Sequence, residues 1–268
     1  MTSSPVGKVL PMIVKRVFKR AKASARADSQ APARRRSTKP SSDWVQLTWR
    51  SANLICASVF CVVVCARAQA LAQDVRVVFI GDSITAGYGV LKEESFPERL
   101  EQLLSKRESE KGIHLVVTNA GISGSLSSSA VSRVRYYMKL KPQIIVLELG
   151  GNDGLKGTEV NSIRKNLSEA IDLALASKVK VLLIGMQIYS NFGDAYTKSF
   201  AKIFSELAHD KKVELMPFLL DKIALDKTLM QSDQKHPNPK GHQIIAENLV
   251  KYLDPMIASV AKEIPSKK

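Results

Sequence analysis

The sequence predicts an α/β protein in which a five-stranded parallel sheet is covered by helices on both faces. Short runs of β-branched and aromatic residues alternate with longer segments whose apolar residues recur at helical spacing. This alternation is typical of parallel strands joined by crossover helices. No internal repeat is present in the chain.

Five strands are expected, each of them a short apolar run. Residues 75–80 form the clearest one, a continuous series of β-branched and aromatic side chains, as expected for a strand that is buried on both faces. In chain order, the predicted strands are residues 75–80, 115–118, 144–149, 179–184 and 213–216.

Five helices are expected between and after these strands. The first begins after Ser95 with Pro97 in its first turn, and Pro239 opens the last. The other predicted bounds are residues 127–137, 160–176 and 195–208, and the last helix extends to residue 253. Three of them carry an apolar stripe that should face the sheet. The stripe residues are Leu100, Leu103 and Leu104, then Ala130, Val131 and Val134, then Ile163, Leu167, Ala170, Ile171 and Ala174.

Positive charge is concentrated at the N-terminus. The chain has 268 residues and a formal net charge of +15. Residues 1–50 hold 12 Lys and Arg against two acids, whereas residues 73–268 hold 27 against 23. A nucleic-acid-binding protein would carry the excess on its folded domain, so we do not expect a nucleic-acid partner. We expect a basic, disordered extension at residues 1–50 and one single-core domain at residues 73–268.

An apolar segment separates these two parts. Residues 54–66 are almost wholly apolar, and they are followed by small residues at Ala66, Ala68, Ala70 and Ala72. A basic flank, a short apolar core and an Ala-x-Ala pattern are the parts of a secretory signal peptide. We therefore expect residues 51–72 to direct export, cleavage to follow Ala70 or Ala72, and the protein to be periplasmic or secreted. The alternative is an uncleaved membrane anchor, although a transmembrane helix needs about 20 apolar residues.

A candidate nucleophile follows the first predicted strand, in Gly81-Asp82-Ser83. A sharp turn at the end of a strand exposes a hydroxyl and directs its own backbone N–H toward a developing oxyanion. The serine needs a base to become a good nucleophile. The alternative is that Asp82 or Ser83 merely caps the next helix. The Gly-x-Ser-x-Gly pattern of α/β-hydrolases is absent around Ser83.

The candidate base is His236, which lies three residues after Asp233. A carboxylate at this spacing in a loop can fold back onto the imidazole, select its tautomer and stabilise the imidazolium. The alternative is a surface turn, because Asp, Pro and Asn are turn residues. The other histidines fit less well, since His114 opens a strand, His209 ends a helix and His242 lies within the last helix, where packing is expected.

Two further groups are candidate oxyanion donors. Asn152 follows a pair of glycines after the third strand, and Gly124 follows the second strand. Because the carboxyl ends of parallel strands meet at one edge of the sheet, Ser83, Gly124 and Asn152 should lie close together. The alternative for Asn152 and Asp153 is a plain turn, and Asp153 is expected to stabilise the loop.

Neither a metal nor a cofactor is expected. Cys56, Cys61 and Cys65 all lie in the apolar run, so the cleaved domain would have no disulfide and no cysteine-ligated metal. His236 and Asp233 could supply two metal ligands, but no other His or Cys cluster completes a site. Neither glycine-rich phosphate-binding pattern is present.

Four blocks of the chain together resemble the SGNH, or GDSL, hydrolases. They are Gly81-Asp82-Ser83-Ile84, residues 119–124, Gly151-Asn152-Asp153 and residues 233–237. The resemblance covers nearly all of residues 75–255. Residues 148–155 and Asn191-Phe192-Gly193 are similar to the secreted bacterial thioesterase, lysophospholipase and arylesterase group in particular.

The resemblance implies a flavodoxin-like three-layer α/β/α sandwich and a serine hydrolase without a cofactor. Ser83 would be the nucleophile, with Asp233 and His236 completing the triad. The backbone N–H groups of Ser83 and Gly124 and the side chain of Asn152 would form the oxyanion hole. The substrates would be acyl esters or thioesters, such as aryl esters, lysophospholipids and acyl-CoA thioesters, hydrolysed through an acyl-enzyme.

The chain departs from the family pattern at two positions, and two of its loops bear on the shape of the substrate site. Ile84 replaces the usual Leu, and Gln234 stands where the group usually has Gly, so the backbone there is expected to avoid positive φ. The loops at residues 155–157 and 188–196 are short, which predicts a shallow apolar groove and broad acyl tolerance. The expected substrate-binding residues are Leu155, Ile188, Tyr189 and Phe192.

Two alternative functions remain open. One is a carbohydrate O-acetylesterase of the same superfamily, which a short acyl pocket would favour. The other is a non-catalytic envelope-binding module on the same fold, and the presence of all four catalytic residue types argues against it. For the favoured hydrolase, the expected partners are a small-molecule ester or thioester and, for lipid substrates, a lipid surface. The protein is expected to be a monomer.

Overall fold

The computed structural model describes residues 73–188 and 192–264. The predicted extension at residues 1–50 and the predicted signal segment at residues 51–72 lie outside the described residues. Among the described helices, none combines the length and the apolar character that crossing a membrane requires.

A five-stranded sheet forms the centre of the domain, and all of its strand pairs are parallel. The spatial order is β2-β1-β3-β4-β5, so the strand order reverses between β1 and β3. In open α/β sheets, ligands bind at such a point, in the crevice beyond the carboxyl ends of the strands. The strands are β1 (Gln73–Gly81), β2 (Ile113–Asn119), β3 (Ile144–Glu148), β4 (Lys180–Ile184) and β5 (Glu214–Met216). All five predicted strands are confirmed, with bounds that differ by one or two residues.

Seven α-helices connect and cover these strands in the described part of the chain. They are α1 (Ser83–Ala86), α2 (Phe96–Glu110), α3 (Ala130–Tyr137), α4 (Gly151–Leu155), α5 (Val160–Ala176), α6 (Asp194–Lys211) and α7 (Pro239–Glu263). Helices α2 and α7 pack together on one face of the sheet, and α3, α5 and α6 pack side by side on the other. The three-layer α/β/α prediction is confirmed, whereas the short helices α1 and α4 were not predicted.

The core lies between the sheet and both helix layers. All five residues of β3 are buried, and the rings of Phe79 in β1 and Phe96 in α2 meet edge to face at a centroid distance of 5.7 Å. Leu103 was predicted to face the core but is 42% exposed. The buried stripe of α2 instead passes through Phe96, Leu100 and Leu104 at a spacing of four residues, which leaves Leu103 to one side of it.

Helix α6 extends beyond the predicted residues 195–208 at both ends, and two other helices differ from their predicted bounds. The predicted helix at residues 127–137 begins as a 3₁₀ turn, Ser127–Ser129, and Asp153 accepts hydrogen bonds from both the backbone and the hydroxyl of Ser127. Helix α7 continues past Pro255 to Glu263. Proline removes one helical hydrogen bond, but burial of Met256, Ile257 and Val260 beyond it keeps the helix on the core.

Candidate active site

The turn after β1 positions the candidate nucleophile. The Asp82 carboxylate caps α1 by accepting a hydrogen bond of 3.0 Å from the Ile84 N–H, so the capping alternative is correct for Asp82. A Cβ on Gly81 would lie 1.9 Å from the Thr85 hydroxyl oxygen, so only glycine permits this tight turn. Ser83 is the first residue of α1, and its backbone N–H donates to no other residue in the described part of the chain.

Ser83, His236 and Asp233 form a hydrogen-bonded chain. The Ser83 Oγ lies 2.8 Å from His236 Nε2, and His236 Nδ1 lies 2.7 Å from Asp233 Oδ2. A neutral imidazole with its hydrogen on Nδ1 donates to Asp233 and accepts from Ser83. Partial burial opposes ionisation of Asp233, but hydrogen bonds from the His236 ring and from the backbone N–H groups of Lys235 and His236 lower its pKa to about 2. The carboxylate is therefore charged at physiological pH.

The loop between these residues adopts a conformation that the sequence analysis excluded. Gln234 has a φ of 55°, so the expectation that it avoids positive φ was wrong. The backbone N–H groups of Lys235 and His236 both donate to Asp233 Oδ1, at 2.9 and 3.1 Å. The chain must turn around this carboxylate to make both bonds. They offset the cost of about 1–2 kcal/mol for a left-handed residue that is not glycine.

Asn152 and Gly124 lie beside Ser83, although they come from two other segments of the chain. Asn152 Nδ2 donates to Asp82 Oδ2 at 3.0 Å and to the carbonyl oxygen of Ser125 at 3.1 Å. Gly124 has a φ of 77°, a conformation that glycine adopts at no steric cost. Its N–H has no hydrogen-bond partner within the described residues. The expectation that Asp153 stabilises its loop is confirmed, since it accepts two hydrogen bonds from Ser127.

These residues line one cavity of about 550 Å³. The cavity is lined by Ser83, Gly124, Asn152 and His236, together with the predicted substrate-binding residues Leu155 and Ile188. Phe192 lies outside this lining, because its ring packs beside Tyr196 of α6 at a centroid distance of 6.3 Å. Tyr189 lies outside the described residues. Among the described residues, no group of three or more His, Cys, Asp or Glu side chains could hold a metal ion.

Residues 79–244 match the family model for the GDSL-like lipase/acylhydrolase family. The match covers more than half of the chain and includes all of the candidate site residues. The chain belongs to this family.

Curated relatives of this GDSL hydrolase include enzymes with esterase and thioesterase names. It is 35% identical to the esterase TesA of Pseudomonas aeruginosa over 190 residues, which is 70% of this chain and 92% of the relative. It is 30% identical to the thioesterase 1/protease 1/lysophospholipase L1 of Escherichia coli K12 over 190 residues, 70% of this chain and 88% of the relative.

Solved structures of similar proteins include that of the psychrotrophic esterase EstA from Pseudoalteromonas sp., which was inhibited by monoethylphosphonate. The two chains share 29% identity and superpose with a TM-score of 0.63, over 68% of this chain and 98% of the other.

Several cavity residues of the hydrolase were not found from the sequence. Met186 and Gln187 line the cavity. They directly follow β4, so they lie at the same carboxyl edge of the sheet as Ser83 and Asn152. Tyr88 packs its ring on that of His236 at a centroid distance of 4.7 Å. The remaining lining residues that sequence analysis missed are Asp82, Ile84, Ser123, Gly151, Phe218, Leu220, Ala224, Leu225 and Lys235.

A buried pair of carboxyl groups lies behind the nucleophile. Glu148 Oε2 accepts hydrogen bonds from the Asp82 backbone N–H at 3.0 Å and from the Thr85 hydroxyl at 2.7 Å. Burial raises the pKa of Asp82. Burial and the neighbouring charge of Asp82 raise the pKa of Glu148 well above its usual value. Glu148 ends a strand that is otherwise apolar, and that position was the available sequence signal for it.

His242 is a packing residue, as the sequence analysis favoured. It is fully buried in α7, its Nδ1 accepts from the Phe96 backbone N–H at 3.2 Å, and its ring stacks on that of Phe96. Burial, with smaller contributions from the charges of Arg99 and His236, lowers its pKa to about 4. His242 is therefore neutral at physiological pH, and it does not line the cavity.

Proposed function

We propose that the protein hydrolyses acyl esters and thioesters through an acyl-enzyme formed on Ser83. The observation that carries this proposal is the hydrogen-bonded chain from Ser83 through His236 to Asp233, with its serine end in an apolar cavity. The same geometry is what serine hydrolases of unrelated folds use for acyl transfer. Membership of a lipase and acylhydrolase family supports the reaction class.

Acylation begins when Ser83 Oγ attacks the carbonyl carbon and its proton passes to His236 Nε2. Collapse of the tetrahedral intermediate breaks the bond to the leaving group, which takes the proton back from His236 as it departs. Water then attacks the acyl-enzyme, with His236 as its base, and releases the acid and Ser83. Asp233 holds the imidazole tautomer and stabilises the imidazolium in both half-reactions. No cofactor takes part in these steps.

Three donors would hold the oxyanion of each tetrahedral intermediate. Two are the backbone N–H groups of Ser83 and Gly124, which are free to donate because neither bonds to another described residue. The third is the side chain of Asn152, which lines the same cavity. The two backbone donors are fixed before the reaction, so they stabilise the developing charge without having to reorganise.

The acyl group would lie along the apolar walls of the cavity. Leu155 is 42% exposed and Leu225 is 99% exposed where they line it. These side chains can also contact a lipid surface that carries the substrate. All of the residues in the proposed mechanism come from one chain, so we propose that the monomer is the active form.

A panel of p-nitrophenyl esters from acetyl to octanoyl should therefore give modest acyl selectivity. Each buried methylene contributes only about 0.8 kcal/mol, and exposed leucines bury a chain incompletely. Acyl-CoA thioesters and a micellar lysophospholipid should also be hydrolysed. The measurement is kcat/KM for every substrate, with Ser83→Ala as the blank. Turnover of acetyl esters with hexanoyl and octanoyl esters untouched would reject this proposal in favour of the carbohydrate O-acetylesterase.

We also propose that the hydrolase is exported and then cleaved. The support is the sequence of residues 51–72, where the apolar run is followed by the Ala-x-Ala pattern. N-terminal sequencing of the protein from the periplasm or the medium should begin near Leu71 or Gln73. Recovery there of a chain that still contains residues 1–60 would contradict cleavage and favour the anchor.

A further inference from the structure

The amide of Asn152 has both of its N–H bonds engaged in the resting site. One donates to the carboxylate oxygen Asp82 Oδ2 and the other to the neutral carbonyl oxygen of Ser125. An amide nitrogen has only two hydrogens to donate. If Asn152 is to serve an oxyanion, one of these two bonds must therefore be given up during the reaction.

The two bonds differ in strength. A hydrogen bond to an ionised carboxylate is roughly twice as strong as one between neutral groups. The bond to Ser125 is therefore the one that yields to an oxyanion, while the bond to Asp82 keeps the amide in place. This holds only while Asp82 carries the negative charge.

We propose that Asp82 and Glu148 form a positioning pair that shares one proton, with Glu148 neutral and Asp82 ionised. The charged Asp82 holds one N–H of Asn152 in place while the other N–H of Asn152 moves from Ser125 to the oxyanion. The inference rests on the proposed function, because it concerns the oxyanion hole of the Ser83 site. It assigns a role to Glu148, which makes no contact with the cavity.

The contacts of the two carboxyl groups decide which of them is charged. Asp82 is 3% exposed, and both of its oxygens accept hydrogen bonds, Oδ1 from Ile84 and Oδ2 from Asn152. Glu148 is fully buried, and its Oε1 has no hydrogen-bond partner among the described residues. A buried carboxylate charge is strongly unfavourable when one of its oxygens has no hydrogen-bond partner, and protonation removes that charge.

The surrounding charges support a single negative charge in the pair. Arg133 faces both carboxyl groups, but its guanidinium donates to the carbonyl oxygens of Gly81 and Ala120 rather than to either carboxylate. The His236 ring also lies near Asp82 and favours its negative charge when the ring is protonated during the reaction, and Tyr137 faces Arg133. One buried cation balances one buried anion. Two adjacent buried carboxylates would repel each other, which pushes one of them to keep its proton.

The first experiment replaces Asp82 with Asn. The new side chain can still accept from the Ile84 N–H, but an NH₂ group then faces the NH₂ group of Asn152. We expect Asp82→Asn to lower kcat by about tenfold or more, with little change in KM. The Asn152 amide is still present in this variant, but it loses the partner that orients it toward the oxyanion. In an Asn152→Ala background, the same substitution should have almost no further effect, since it acts through Asn152. Equal losses in both backgrounds would overturn the proposal.

The second experiment measures thermal stability against pH for Glu148→Gln. A carboxyl whose pKa is raised on folding must stay protonated in the folded protein, so its contribution to stability falls as the pH rises above its unfolded value of about 4.3. Gln does not titrate. We expect the melting temperature of Glu148→Gln to exceed that of the wild type by a margin that grows from pH 5 to pH 8. A margin that stays constant with pH would contradict a neutral Glu148.

Glu108→Gln is the matched control for this measurement. Glu108 is also fully buried, and its Oε2 likewise has no hydrogen-bond partner among the described residues, but its Oε1 is ion-paired with Lys111 at 2.9 Å. Its replacement removes this ion pair and should lower the melting temperature throughout the range from pH 5 to pH 8. Activity adds a second readout. The Gln side chain is neutral, as a protonated carboxyl is, and its oxygen can accept the same bonds from the Asp82 N–H and the Thr85 hydroxyl, so kcat should stay within about threefold of the wild type.

The outcomes separate this inference from the proposed function. If Ser83→Ala keeps its activity, the hydrolase mechanism itself fails. If Ser83→Ala is inactive while the Asp82 and Asn152 losses are additive, only the positioning pair fails. Should Asp82→Asn not fold, the pH dependence of the Glu148→Gln margin decides the question alone, because that measurement does not depend on activity.

Discussion

Replacing Ser83 or His236 with alanine should abolish ester hydrolysis, and the double variant should be no worse than either single one. The two side chains are joined by a hydrogen bond of 2.8 Å and act in the same proton transfer, so either loss removes the whole unit. Residues that act together in this way show strongly non-additive losses, and the loss should be on the order of 10⁴-fold or more in kcat. The measurement is kcat and KM for a p-nitrophenyl ester with each purified variant.

A fluorophosphonate probe gives an independent readout of the same prediction. The wild type should be labelled on Ser83, as located by peptide mass spectrometry, and Ser83→Ala should not be labelled. Ser127→Ala is a suitable control, because Ser127 is a buried serine that bonds to Asp153 and lies outside the cavity lining. Retention of more than a tenth of wild-type activity in clean Ser83→Ala would refute the assignment. Absence of labelling in the folded wild type would favour the non-catalytic binding module.

Replacing Asn152 with alanine should lower kcat by about 10²–10³ while KM stays nearly unchanged, as expected for the loss of one oxyanion donor. The amide contributes most when charge develops on the carbonyl oxygen, so the transition state loses more than the bound substrate does. The backbone N–H groups of Ser83 and Gly124 remain, and they should leave measurable residual activity. Steady-state kinetics with a p-nitrophenyl ester checks both parameters.

Asn166→Ala is the matched control for this prediction. Asn166 is a partly buried amide whose Nδ2 donates to the Ser127 hydroxyl at 3.0 Å, and it does not line the cavity. Its loss should change kcat by less than a few-fold, because it removes an ordinary hydrogen bond away from the chemistry. If Asn152→Ala raised KM and left kcat unchanged, Asn152 would bind substrate instead of serving the oxyanion.

The sheet was predictable because its strands carry a local signal. Buried parallel strands are continuous apolar runs, and β3 is buried along its whole length. Helix α5 was predicted with its observed bounds for a similar reason, since its apolar stripe repeats without interruption over Val160–Ala176. Helix α7 was predicted too short because Pro255 is a local stop signal, whereas the buried residues beyond it act through tertiary packing.

The candidate catalytic residues were also predictable, because each directly follows a strand or lies in a short loop. Ser83 comes two residues after the end of β1, Asn152 is the second residue of α4 and follows β3 closely, and Asp233 is three residues from His236. Parallel strands bring their carboxyl ends to one edge whatever the details of packing. The sequence alone therefore predicted the fold class, the candidate catalytic residues and their place at the carboxyl edge of the sheet.

Only the tertiary structure decided how these residues are held. The positive φ of Gln234 follows from the two backbone hydrogen bonds to Asp233, and the packing of Phe192 beside Tyr196 removes it from the cavity lining. The Asp82–Glu148 pair depends on the β1–β3 pairing, which sets Gly81 beside Glu148. Protonation and side-chain orientation depend on burial and on partners far apart in the chain. Local sequence patterns carry no information about either.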